Sequence, residues 1–179
     1  MAEIRSVVNQ VLSQLGTSRE ARYYLKQYSQ DDLQFAVIKI GGAVLEEQIK
    51  PLASALAFLA NLGLMPIILH GAGPQLDVAL EEASIPTVKR KGLRVTTPEV
   101  LEVARPVIYR ANRRLVSALE DEGVRAAGIQ HGVFVCDYLD RDELGLVGDI
   151  QRVDLEAVRD AVHRGILPVV ACLGESITG

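Results

Sequence analysis

The chain has 179 residues, 49% of them hydrophobic, so it is long enough and apolar enough to fold around one sizeable core. Its formal net charge of −4 argues against nucleic-acid binding, and no apolar run approaches the roughly 20 residues that span a bilayer. The N-terminus lacks a secretion-signal pattern, so we expect a cytoplasmic protein. Cys136 and Cys172 lie in apolar runs, which predicts that both are buried and reduced. They show no C-x-x-C spacing, so we expect no metal site.

An amphipathic helix is predicted at the N-terminus, because apolar residues recur with helical spacing over Ile4–Leu15. Residues 17–20 then form a capping box that begins a second helix. These helices either pack on their own domain or dock onto another subunit, and the pattern alone leaves both readings open. We assign residues 1–30 to an N-terminal helical extension and residues 31–179 to the main domain.

Strands and helices alternate after this extension. Phe35–Ile40 and Met65–Leu69 are apolar throughout, which is typical of parallel strands covered on both faces. Residues Glu46–Leu62 and Gln75–Ala83 follow these strands with helical periodicity. We therefore predict an α/β fold with a mostly parallel sheet and helices on both faces.

The second half of the chain continues with shorter elements. A basic hairpin is predicted first, and Thr97 then caps a long helix that Pro106 should kink. The predicted elements are the hairpin Thr87–Val95, the helix ending near Glu122, strands at Arg125–Ile129, Val133–Leu139 and Leu144–Val153, a helix from Asp154 to Arg164, and a last buried strand at Ile166–Leu173.

Glycine loops follow the first two strands directly. Gly41-Gly42 closes the first strand, and Gly71-Ala72-Gly73 closes the second. A glycine-rich turn between strand and helix exposes backbone N–H groups and directs a positive helix end at an anion. Neither loop matches the P-loop or G-x-G-x-x-G pattern, which argues against an ordinary Walker-type NTPase and against a dinucleotide-binding enzyme. Lys39, just before the first loop, can neutralise charge on a transferring phosphoryl group.

Three motifs together resemble the amino acid kinase family: residues 39–42, residues 70–75 and residues 92–96. Within that family they look like the N-acetylglutamate kinases and the kinase-like domains of N-acetylglutamate synthases. The helix Ile4–Leu15 resembles the N-terminal helix of arginine-sensitive members. The resemblance therefore implies a homo-oligomer in arginine biosynthesis, with N-acetyl-L-glutamate as substrate, ATP with Mg²⁺ as co-substrate, and arginine as an effector.

The resemblance also implies a role for individual residues. Lys39 would stabilise charge on the transferred phosphoryl group. Gly41 and Gly42 would offer backbone N–H groups to the phosphates, and residues 71–73 (Gly71, Ala72 and Gly73) would cradle the substrate carboxylate and the phosphoryl group. Arg94 would pair with a carboxylate of N-acetylglutamate, because a guanidinium forks onto a carboxylate. Apart from the resemblance, the position of His70 directly before the second loop leads us to expect that it orients this loop through hydrogen bonds and does not act as a base.

Two departures from the pattern of dedicated kinases keep an alternative open. Ala72 replaces a glycine, which should narrow the cradle, and residues 128–134 lack the usual Lys/Asp pair, leaving His131 as a loop residue. These features favour an arginine-sensing regulatory domain of a synthase, whereas Lys39 and Arg94 favour a kinase. The family's nucleotide-binding half is not seen before Gly179, so the C-terminal half is expected to be incomplete and the 179-residue chain inactive by itself.

Overall fold

The computed structural model describes residues 36–176, so the predicted helices of the 1–30 extension lie outside the described residues. No helix in this part of the chain is both long and apolar enough to cross a membrane. The helices are α1 (Gly42–Glu47), α2 (Ile49–Asn61), α3 (Gly73–Glu82), α4 (Pro98–Asp121), α5 (Arg141–Leu144) and α6 (Glu156–His163). The strands are β1 (Val37–Ile40), β2 (Ile67–His70), β3 (Lys89–Arg90), β4 (Leu93–Arg94), β5 (Ala126–Ile129), β6 (Phe134–Tyr138), β7 (Gly148–Val153), β8 (Leu167–Ala171) and β9 (Gly174–Ser176).

A four-stranded parallel sheet in the order β1-β2-β8-β5 forms the centre of the fold. The predicted parallel α/β architecture is therefore confirmed. All five residues of β8 are buried, as expected for a central parallel strand. Because every strand of this sheet runs the same way, the residues that follow β1 and β2 lie at the same end of the sheet, where the strands finish.

The main core lies on one face of this sheet, where α1 to α4 contribute Leu45, Leu56, Leu80 and Leu115. A smaller cluster on the other face joins Val158 of α6 to Val170 of β8. At the sheet edge, however, Val37 of β1 remains 65% exposed. The prediction that β1 is covered on both faces is thus wrong within the described residues, because the cluster formed with α6 includes residues of β8 and β2 but none of β1.

Beside the main sheet lies a second sheet in the order β7-β6-β9, with β7 antiparallel and β9 parallel to β6. The predicted strand Leu144–Val153 is too long at its start. Its first residue instead ends α5, which Asp140 caps by accepting a hydrogen bond from the Glu143 amide at 3.0 Å. Sequence periodicity could not separate this single helical turn from the strand that follows.

Two further boundaries differ from the sequence predictions. The helix expected to begin at Glu46 is preceded by α1, which starts at Gly42, and the two helices are separated at Gln48. Leu45 explains the earlier start, because its side chain is buried in the core.

Cys136 is buried as predicted, whereas Cys172 is exposed because β8 ends one residue before it.

The cap of α4 is as predicted and offers a test of local stability. Thr97 Oγ1 accepts a hydrogen bond from the Val100 amide at 3.3 Å, and α4 runs through Pro106. Thr97→Ala is expected to lower the free energy of unfolding by about 1 kcal/mol, because one N–H at the helix start loses its partner. Urea unfolding followed by circular dichroism measures this, with the exposed mid-helix variant Ser117→Ala as control. Equal stability of Thr97→Ala and the unmodified protein would contradict the assigned cap.

Candidate functional site

The two glycine loops lie side by side at the carboxyl-terminal end of the parallel strands. Ile40 and His70 are register partners in β1 and β2, and the Gly71 amide donates a hydrogen bond to the Ile40 carbonyl at 3.0 Å. Gly42 approaches the second loop so closely that a Cβ atom there would lie 2.8 Å from the Gly73 nitrogen. The predicted loops therefore form a single junction.

Each loop leads directly into a helix. Gly41 precedes α1 in an extended conformation, with φ −74° and ψ 151°, and α3 begins at Gly73. Ala72 has φ −144° and is only 4% exposed, and its side chain belongs to the main core. A negative φ is open to an L-residue with a side chain, so the loop accommodates this alanine. Its side chain is buried in the core, and the expectation that it narrows the cradle stays a prediction.

Gln75, which sequence reasoning missed, ties the two loops together. Its side-chain Nε2 donates to the Gly42 carbonyl at 2.6 Å and to Glu46 Oε2 at 3.2 Å. Arg114 of α4 donates to the same Glu46 oxygen at 2.9 Å. These hydrogen bonds, from Gln75 first and then Arg114, lower the pKa of the Glu46 carboxyl group. The signal in the sequence was only that Gln75 ends the motif of residues 70–75, with no indication of what its side chain contacts.

Lys39 lies on β1, paired in register with Leu69, and its side chain is exposed. Within residues 36–176 no carboxylate lies within ion-pair distance of its ammonium group. The charge of Lys39 is therefore not neutralised by a described side chain. It remains available, two residues before the loop junction, for an anionic ligand.

Arg94 extends from β4 to the helix that follows the second loop. Its side chain is only 14% exposed and donates from Nη2 to Asp77 Oδ1 at 2.5 Å, while Nη1 donates to Thr87 Oγ1 at 3.1 Å. Asp77 belongs to α3, which starts at Gly73. The structure thus attaches the predicted substrate arginine to the second loop's own helix. Asp77 was not predicted from sequence, because nothing local marks it as a partner of Arg94.

The predicted basic hairpin is confirmed as β3 and β4, and it is held in place by the segment around α5. Thr96, just after β4, donates its amide to the Leu144 carbonyl at 2.9 Å and accepts from the Leu146 amide at 2.7 Å. Gly145 between them has φ 69°, and a Cβ there would collide with the Thr96 carbonyl oxygen. Only glycine fits this position without strain. The segment that connects β6 to β7 therefore fixes the strand that carries Arg94.

His70 lies beneath the junction, buried to 1% exposure. Its Nδ1 is 3.4 Å from the Gly71 carbonyl oxygen, and its Nε2 is 3.0 Å from Asn112 Nδ2 of α4. Burial lowers the pKa of the His70 imidazole, opposed in part by the hydrogen bond to Gly71. Burial therefore favours the neutral form of the ring. His131, in contrast, is exposed, with Nδ1 3.7 Å from Glu175 Oε1.

Within the described part of the chain, no group of three or more His, Cys, Asp or Glu side chains is placed to hold a metal ion. The junction instead offers backbone amides and the ammonium group of Lys39, unpaired among residues 36–176, and Arg94 is joined through Asp77 to α3, the helix that starts at the second loop. Such a set recognises anions, namely phosphoryl groups and carboxylates.

The sequence model of the amino acid kinase family matches residues 34–179. The chain is 45% identical over 166 residues to an acetylglutamate kinase of Xanthomonas campestris, an alignment that covers 92% of this chain and 39% of the relative. It is 44% identical over 176 residues to the mitochondrial protein ARG5,6 of Candida albicans, covering 98% of this chain and 20% of that protein. The chain thus spans well under half the length of these curated relatives.

Among solved structures, the chain resembles N-acetylglutamate synthase from Neisseria gonorrhoeae complexed with coenzyme A and N-acetyl-glutamate. The TM-score is 0.72 at 26% identity, and the match covers 90% of this chain and 38% of the synthase chain. The same synthase complexed with coenzyme A and L-arginine gives a TM-score of 0.70 at 26% identity, covering 90% of this chain and 40% of that chain.

Proposed function

Because the chain belongs to the amino acid kinase family, we propose that it forms the acceptor-binding part of an acetylglutamate kinase of arginine biosynthesis. The proposed reaction transfers the γ-phosphoryl group of ATP to the side-chain carboxylate of N-acetyl-L-glutamate. The observation that carries the proposal is the junction of the two glycine loops, with Lys39 two residues before it and Arg94 attached to α3. The relatives named above support this choice of reaction and substrate.

The chemistry of this transfer suits the groups at the junction. A carboxylate oxygen of the acceptor attacks the γ-phosphorus while the bond to the bridging oxygen breaks, and ADP leaves with that electron pair. The acceptor is already ionised at neutral pH, so the reaction needs no general base. What it needs is stabilisation of negative charge and alignment of the reactants. Lys39 and the loop amides of Gly41, Gly42, Ala72 and Gly73 are proposed to supply both, whereas the Gly71 amide already donates to the Ile40 carbonyl.

Arg94 is proposed to hold the acceptor's other carboxylate. Its guanidinium already makes a short ion pair with Asp77 and a hydrogen bond with Thr87, so it is oriented before the substrate arrives. A pre-oriented guanidinium loses less side-chain entropy on binding a carboxylate. ATP and Mg²⁺ enter this proposal as co-substrates, and no residue of this chain is assigned to Mg²⁺ or to the parts of ATP beyond the phosphates.

The proposal predicts that the complete gene product phosphorylates N-acetyl-L-glutamate, and that Arg94→Gln raises KM for this acceptor about 10- to 100-fold. The reason is the loss of a charge-assisted hydrogen-bond pair with the acceptor carboxylate. Steady-state assays of ADP release, with hydroxylamine trapping of the acyl phosphate, measure both.

A matched control for this test is Arg90→Gln. This variant also removes one arginine charge from the hairpin. Arg90 is half-exposed and makes only a 3.9 Å ion pair with Glu143. Arg90→Gln is expected to leave KM for the acceptor within about twofold of the unmodified protein, because exposed ion pairs contribute little energy. An absence of acceptor-dependent ADP release would refute the kinase proposal, and an unchanged KM in Arg94→Gln would remove Arg94 from it.

A second candidate function is an arginine-sensing regulatory domain of an N-acetylglutamate synthase. The likeness to a synthase solved with L-arginine favours it, as does the sequence of residues 128–134. On this alternative, the 1–30 extension and the main domain together assemble a homo-oligomer that responds to arginine. The acceptor-dependent assay separates the two candidates, because a regulatory domain binds ligand without releasing ADP.

A further inference from the structure

Asn112 and His70 form a buried polar pair beneath the second glycine loop. We propose that Asn112 is a positioning residue, which keeps the His70 ring in one tautomer and thereby sets the orientation of the loop's first peptide unit. Neither residue is proposed to touch the acceptor. The inference rests on the proposed function only for its expected effect on acceptor binding. Asn112 is 0% exposed, and it lies on α4, 42 residues from His70 in the chain.

The hydrogen bonds around Asn112 leave one consistent arrangement of protons. Its amide lies 2.9 Å from the Val169 carbonyl oxygen, which can only accept, so the amide nitrogen must face it. The same nitrogen lies 3.0 Å from His70 Nε2 and can only donate. His70 Nε2 therefore carries no proton, and the neutral ring is protonated at Nδ1.

The proton at Nδ1 faces the Gly71 carbonyl oxygen, 3.4 Å away. A peptide unit is planar and trans, so the carbonyl of Gly71 and the amide N–H of Ala72 point in opposite directions. Attraction of the Gly71 carbonyl toward the ring therefore directs the Ala72 N–H away from it. The other tautomer would set the lone pair of Nδ1 against this carbonyl and remove the constraint.

The pair also joins elements that are distant in sequence. Asn112 connects α4 to β8 through Val169 and to the end of β2 through His70. The Gly71 amide is in turn bonded to the end of β1 through the Ile40 carbonyl. The loop's first residue is thus held from two sides, by its amide and by its carbonyl.

An unusual feature of Asn112 supports a role in geometry. Its Oδ1 atom is buried and has no hydrogen-bond partner among the described residues. An apolar side chain of similar size would bury no such unpaired oxygen. The oxygen lies against Gly128 of β5, where a Cβ would overlap it. Asn112 therefore contributes the two hydrogen bonds that its amide donates, although its oxygen is buried without a partner in the described part of the chain.

The test uses the complete gene product labelled with ¹⁵N, and reads the His70 tautomer from the imidazole nitrogen shifts. The unmodified protein is expected to show a neutral ring protonated at Nδ1. Asn112→Leu is expected to lose this tautomer preference, shift the Ala72 amide resonance, and raise KM for N-acetyl-L-glutamate at least about tenfold. The change in kcat is expected to be smaller, because Asn112 does not touch the reacting atoms.

The matched control is Val116→Ala, one turn further along α4. Val116 Cγ2 also lies near Gly128, at 3.5 Å from the Cβ position there, but takes no part in the hydrogen bonds. This variant should lower Tm while the tautomer, the Ala72 resonance and KM stay unchanged. A wild-type ring protonated at Nε2 would overturn the inference, even if Asn112→Leu failed to fold. So would a folded Asn112→Leu protein with an unshifted Ala72 resonance.

These outcomes are distinguishable from failure of the proposed function. If the protein shows no acceptor-dependent turnover, the kinase proposal fails, whereas the tautomer and the Ala72 resonance still report on Asn112. If turnover is present and Arg94→Gln behaves as expected while Asn112→Leu matches wild type, only the present inference fails.

Discussion

Replacing Lys39 with methionine is expected to lower kcat for acetylglutamate phosphorylation by about 100- to 1000-fold. Removal of one preorganised group that stabilises transition-state charge has an effect of this size. Methionine keeps most of the side-chain length and removes only the charge. Because Lys39 is exposed and has no ion-pair partner within residues 36–176, the free energy of unfolding should change by less than about 0.5 kcal/mol.

The matched control for Lys39 is Lys50→Met, which removes the same charge from an exposed position on α2. Steady-state kinetics of the complete gene product should show kcat within about twofold of the unmodified protein for this variant. If Lys39→Met retained kcat within threefold while Lys50→Met behaved the same way, Lys39 would be a surface lysine and the phosphoryl site would lie elsewhere.

Gly42→Ala is expected to damage both the fold and the site. The added Cβ would lie 2.8 Å from the Gly73 nitrogen, 2.9 Å from Pro74 Cδ and 2.6 Å from Gln75 Oε1. Two of these neighbours belong to the second loop's backbone or ring and cannot move alone, so the loops must separate. We expect a loss of about 1–3 kcal/mol in the free energy of unfolding, as for other overpacked sites. Acceptor turnover should fall at least about 100-fold, because an ångström of misplacement has that effect.

Gly41→Ala provides the comparison for stability. Gly41 has φ −74°, and a Cβ at this position would meet no atom within 4 Å. Its free energy of unfolding in urea should therefore match that of the unmodified protein within about 0.5 kcal/mol. Equal stability of Gly42→Ala and Gly41→Ala would show that the two loops are not in contact, and the junction would then not be a site.

Local patterns in the sequence predicted much of the fold. The apolar runs at β1 and β2 and the glycines after them predicted parallel strands that are each followed by a glycine loop, and the structure has both. Thr97 predicted the start of α4, and the basic segment before it predicted the hairpin that carries Arg94. These features depend on residues within a few positions of one another, which is why sequence alone reveals them.

The residues that sequence reasoning missed act over long separations. Gln75 bonds to Gly42 across 33 positions, Asp77 to Arg94 across 17, and Asn112 to His70 across 42. A polar residue on a helix reads as solvent-facing until the opposing element is known. Asn112 sits on the apolar face of α4, and only packing against β8 shows which groups its amide meets.

The sequence by itself determined the kinds of element, the two glycine loops, and the presence of a lysine and an arginine suited to anionic ligands. Those properties follow from residue type and spacing along one stretch of chain. Only the tertiary structure decided that the loops touch through Gly42, that Asp77 holds Arg94 against α3, and that Ala72 turns its methyl group into the core. Each depends on how separate strands and helices pack, and close packing is a property of the whole fold.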